Sequence, residues 1–194
     1  MLPTHCLSTV VLAILIGIGQ HPAVSAPPSN IPGCLGEKDH KRVEKARGAG
    51  GRLAVYADLA AARAVHVWYC LSPWATSWDQ HSILGRWRPE CSSIQDMLDA
   101  VECARTGVDG ELAAWRRGGP RDDVTLRGVR AALRDAEAYL RYAEVDADQS
   151  KSRLGPAIPN QVKAVRQSLE DSEAVLAKLL GQAPATSVSG CPQV

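Results

Sequence analysis

The sequence predicts an all-α fold: a four-helix bundle stapled by disulfides. Three observations carry this. Four stretches repeat apolar residues every three or four positions, the period of a helix with one buried face. No stretch alternates apolar and polar residues convincingly at the strand period. Five of the six cysteines follow a leader of secretory type, which favours bridges over free thiols. The composition, 45% hydrophobic and 22% charged, is that of a globular chain. With 5% aromatic residues and no Phe, the core is expected to be Leu, Val, Ile and Ala.

Residues 1–25 read as a signal peptide. Val10 to Ile18 is apolar, and small residues follow at Ala23, Ser25 and Ala26. Cleavage after Ser25 keeps Ala23 at −3. Cleavage after Ala26 would leave Pro27 beside the cut. The apolar run is shorter than the roughly 20 residues that span a bilayer, although the leader carries no Lys or Arg. No later stretch is apolar enough to span. The expected location is therefore secreted and extracellular, with no membrane span in the mature chain. No Asn-x-Ser/Thr acceptor is present.

The bundle is assigned to residues 26–181 and a polar C-terminal tail to 182–194. Residues 27–33 are a turn-rich lead-in. A charged first segment covers 36–47, and Gly48-Ala49-Gly50-Gly51 is expected to break or kink it. A stronger helix follows at 52–69, with Leu53, Tyr56, Ala60, Ala64, Val67 and Trp68 on one face. Residues 71–91 read as a loop that is long for a compact domain and holds Trp74, Trp78 and Trp87. A helix within 92–117 carries Ile94, Met97, Val101, Ala104, Val108 and Trp115, with Ser92 and Gln95 as a capping box or Asp99 and Glu102 as a later start. Gly107 and Gly110 on that helix allow a neighbouring helix or a large side chain to approach. The next helix starts at Asp122 or Asp123 and repeats Leu126, Val129, Leu133, Ala136, Leu140 and Ala143. The last begins near Pro159-Asn160 and runs through Val162, Val165, Leu169, Leu176 and Leu179, with Ser172 the polar member of the stripe. Gly181 fits its C′ position.

Candidate chemistry is sparse. Charges nearly balance, with 22 Lys+Arg against 21 Asp+Glu, so nothing points to nucleic acid or an anionic membrane. His40, His66 and His81 sit in no catalytic pattern. Neither a Cys-x-x-Cys nor a paired-His spacing indicates a metal. Glu144, Asp146 and Asp148 read as a solvated face, since no calcium loop surrounds them. No catalytic residue, metal or cofactor is assigned, and the chain does not read as an enzyme. The disulfide candidates are Cys34, Cys70, Cys91, Cys103 and Cys191, since Cys6 leaves with the leader. Five thiols allow fifteen ways of making two bridges, with one cysteine left over. Trp74, Trp78 and Trp87 are the candidate partner-binding residues, because tryptophan is enriched in binding hot spots. Their alternative role is to seal one end of the bundle.

A secreted four-helix chain with a long first connection resembles the long-chain helical cytokines, in particular the group of granulocyte colony-stimulating factor and the interleukin alpha subunits. The residues that carry this are Trp87, Pro89, Cys91 and Cys103, with Cys34-Leu35 at the start of the first helix. The resemblance implies an up-up-down-down path, a cell-surface receptor as partner, and a second chain joined through the odd cysteine. In that family the two cysteines around the second helix bridge each other. A helix starting at Ser93 would instead carry Cys103 about 15 Å up its axis, beyond the reach of Cys91. Either the helix starts near Asp99 or the two have other partners. The ten-residue link 149–158 spans about 33 Å at full stretch, which leaves up-down-up-down open as well.

The expected function is thus a secreted, cytokine-like signalling protein that binds a receptor and performs no reaction. The alternatives are a microbial secreted or periplasmic effector, adhesin or inhibitor, and a carrier of lipid or another small ligand.

Overall fold

The computed structural model describes residues 31–72, 91, 93–117, 122–150 and 154–182. The leader, Trp74, Trp78, Trp87 and Cys191 lie outside the described residues, as does His81. The described residues form helices α1 (Glu37–Lys45), α2 (Gly48–Leu71), α3 (Ile94–Arg116), α4 (Asp123–Gln149) and α5 (Ala157–Leu179), with no strand among them. The expected all-helical, disulfide-stapled architecture is what is found.

The first boundary differs from the expectation. Helix α1 stops at Lys45, and the chain turns at Ala46 and Arg47. The glycine run does not break a helix; it forms the first turn of α2. Gly48 takes φ +69, a conformation that costs glycine little. Added Cβ atoms would lie 3.7 Å from Thr125 Cγ2 at Gly50 and from Ala46 at Gly51, so small residues suit the point where α1, α2 and α4 converge. Helix α1 docks on α2 through fully buried Val43 and an ion pair between Asp39 and Arg63 (2.6 Å).

Helix α3 starts one residue later than the expected capping box. Ser93, not Ser92, is the N-cap, and its hydroxyl accepts from the Asp96 backbone N–H at 3.1 Å. Helix α4 is capped by Asp122, whose carboxylate accepts from the N–H groups of Val124 and Thr125. Those bonds, led by the one from the Thr125 hydroxyl, hold Asp122 below the usual aspartate range. Helix α5 begins two residues before the expected Pro159, which falls inside its first turn, where a missing N–H costs no hydrogen bond. Gly181, at φ +65, lies just past the C-cap Leu180.

The apolar stripes close on one another. Leu53, Tyr56, Ala60, Ala64 and Val67 of α2 meet Met97, Val101, Ala104 and Val108 of α3 in one core. Leu126 to Ala143 of α4 and Val162 to Leu176 of α5 complete it. Ser172 is accommodated in its stripe because its hydroxyl donates to Asp109 Oδ1 of α3 at 2.9 Å.

Helix α2 packs on α3 and α4, and α5 packs on the same two, which leaves α2/α5 and α3/α4 as diagonals. Side-chain contacts give the directions. Arg52 meets Glu111, and Tyr56 meets Gly107, so α2 and α3 run antiparallel. Gly50 faces Thr125 while Trp68 faces Tyr139, so α2 and α4 run parallel. Arg130 pairs with Glu173 and Glu144 with Arg166, so α4 and α5 run antiparallel. Of the two paths left open, these helix directions give up-down-up-down: two helical hairpins, α2–α3 and α4–α5, laid side by side. The cause is the first connection. The bridge Cys70–Cys91 ties the end of α2 to the start of α3, so α2 ends and α3 begins at the same end of the bundle.

Candidate functional site

Two bridges use four of the candidate cysteines: Cys34 with Cys103, and Cys70 with Cys91. Of the two options left open for Cys91 and Cys103, the structure takes separate partners. The cause is the cap at Ser93, which places Cys103 in the middle of α3. There it meets Cys34, just before α1.

One end of the bundle gathers the C-terminal part of α2, the N-terminus of α3 and the C-terminal part of α4. Trp68 of α2 lies against Tyr139 and Tyr142 of α4, with ring centroids 5.6 Å and 6.0 Å away and the planes tilted. Tyr142 and Val145 are exposed large apolar residues, Val145 at 53%. The Trp68 side chain donates to Asp146, while burial of that carboxyl pushes its pKa above the usual range. Asp146 is thus tied to an aromatic residue and Glu144 to Arg166 (2.8 Å), so the acidic group is part of the packing rather than wholly solvated. Leu71, the last residue of α2, and Cys91, just before α3, both lie at this end.

His66 stands one turn before Cys70 on α2. Its Nε2 is buried and makes no hydrogen bond. Burial, with the Arg63 charge adding to it, lowers its pKa below the ordinary histidine value. An imidazole nitrogen of His66 and the sulfurs of Cys70 and Cys91 lie within 4.8 Å of one another, the one group of this kind among the described residues. Sequence spacing alone does not reveal this cluster. The His66-x-x-x-Cys70 interval was a signal, but Cys91 joins only through the fold. His40 lies apart, 3.4 Å from Glu44 at an exposed position.

No family model, curated protein or solved structure matches this chain.

The opposite end is built from ion pairs. Arg52 makes a two-pronged contact with Glu111, at 2.5 and 3.0 Å, across α2 and α3. Arg130 pairs with Glu173 across α4 and α5, and also donates to Gln182. Each hairpin is thus clasped by an Arg on its first helix and a Glu on its second. Along α4 and α5, Arg141, Glu137, Arg166 and Glu170 form a ladder of charges. All four are paired. No described helix is long and apolar enough to cross a membrane.

Proposed function

We propose that the chain is a secreted helical ligand that binds a cell-surface receptor and carries out no reaction of its own. The observation that supports this most is the aromatic end. Tyr142 and Val145 are exposed beside Trp68 and Tyr139 on a scaffold held by two bridges. Rigid aromatic residues lose little entropy on binding and are enriched in hot spots. The leader and the two bridges support an extracellular, oxidising location. Trp74, Trp78 and Trp87, the partner-binding candidates of the sequence, are proposed to take part in binding as well.

A second reading, a secreted inhibitor or effector, draws support from the connectivity. Two antiparallel hairpins do not follow the long-chain cytokine path, so the partner need not be a cytokine receptor. The carrier reading gains least, because the space between α2 and α3 is filled by Tyr56 against Gly107.

The test is saturable binding of labelled, secreted protein to intact cells of the source. Under the receptor reading, unlabelled protein competes, protease treatment of the cells abolishes binding, and Tyr142→Ala with Val145→Asp weakens it by about tenfold or more. Binding to a secreted enzyme but not to cells would replace the receptor reading with the inhibitor reading.

A further inference from the structure

We propose that His66, Cys70 and Cys91, once the Cys70–Cys91 bridge is reduced, form a three-ligand site for a thiophilic divalent cation of the zinc class. His66 and Cys70 lie one turn apart on the same face of α2. Cys91 is delivered to them by the chain that enters α3. The three donor atoms stand within 4.8 Å of one another, close enough for small side-chain rotations to set them around one ion. One imidazole nitrogen with two thiolates is an established zinc set, and it leaves a fourth position for water or another ligand. The buried Nε2 of His66 points the same way. In the bridged form it is a polar atom without a partner, a state that costs free energy, and a metal bond through Nε2 removes that cost.

The bridge and the ion use the same two sulfurs and exclude each other. A dithiol reductant supplies two electrons and two protons. Its own sulfurs join, the Cys70–Cys91 bond breaks, and two thiols form. The cation then displaces both thiol protons to solvent, and the two thiolates neutralise its charge. Exposed Cys91 gives the reductant access. In a reducing compartment the ion would hold the end of α2 to the start of α3, as the bridge does in an oxidising one.

The test uses the full chain, reduced without oxygen and titrated with Co²⁺. The expected result is one ion per chain, with thiolate-to-cobalt charge-transfer absorption and tetrahedral d–d bands that Zn²⁺ abolishes. The oxidised chain shows neither. Alkylation after Zn²⁺ loading should spare Cys70 and Cys91 and modify Cys34 and Cys103. His66→Gln should weaken binding by roughly tenfold or more. The proposal is overturned by absence of stoichiometric binding, whether or not the reduced chain keeps its helices. Equal affinity in His66→Gln, or protection of Cys34 and Cys103 instead, overturns it too.

Discussion

The ring of Tyr56 occupies the space that a side chain at position 107 would need. A Cβ added to Gly107 would lie 2.7 Å from Tyr56 Cγ and closer still to Cδ1 and Cε1. Tyr56 is 1% exposed, so its ring has nowhere to retreat. Gly107→Ala is therefore expected to destabilise the protein by about 1–3 kcal/mol, despite alanine's better helix propensity. Gly110, on the same helix, meets nothing within 4 Å. Gly110→Ala is expected to stabilise by up to about 1 kcal/mol. Urea melts of the two variants should move in opposite directions.

The clasp between Arg52 and Glu111 is nearly closed to solvent, with side-chain exposures of 13% and 9%. Tyr56 lies beside it, and burial, with the Glu111 charge second, pushes the phenol pKa up. Glu111→Ala leaves the guanidinium without its carboxylate. A loss of about 3 kcal/mol is expected, the lower end for breaking a buried pair. Glu37→Ala, which breaks an exposed pair with Lys41, should cost less than about 0.5 kcal/mol. Chemical denaturation of both variants measures the contrast.

The bridges close loops of different length. Cys34 and Cys103 are 69 residues apart, and Cys70 and Cys91 are 21 apart. Chain entropy assigns about 4 kcal/mol to the first and about 3 kcal/mol to the second. Replacing the pair Cys34 and Cys103 by serine should lower stability about 1 kcal/mol more than replacing Cys70 and Cys91. Equal losses would show that the loop-entropy model fails here.

Asp146 makes stability depend on acid. Its folded pKa lies above the unfolded value, chiefly through burial. The folded state therefore holds the proton more tightly. This contribution is fully present below the ordinary aspartate range and is lost as pH rises through the raised folded value. Asp146→Asn keeps an oxygen to accept from Trp68 and removes the titration. The variant should show a smaller loss of melting temperature across that interval than the parent chain.

Periodicity made much of the fold legible. Every member of the α4 stripe from Leu126 to Ala143 is buried, because a helix needs only local spacing to define its inner face. The value of Gly107 was visible for the same reason, though Gly110 shares the residue type without the contact. The helix path was not legible, because it depends on which helix ends a bridge joins. The pairings Cys34–Cys103 and Cys70–Cys91 are long-range facts that no local pattern encodes. At the candidate site, Trp68 could be placed on its helix face, but its tyrosine neighbours on α4 became evident only from the packing.

The hydrogen bond from Arg130 to Gln182 has a practical consequence for handling the protein. It marks where the chain departs from α5, beside Arg130 and twelve residues, about 18 Å of helix, before Tyr142 on α4. A label placed on Gln182 itself therefore sits beside the Arg130–Glu173 pair and leaves Tyr142 and Val145 uncovered.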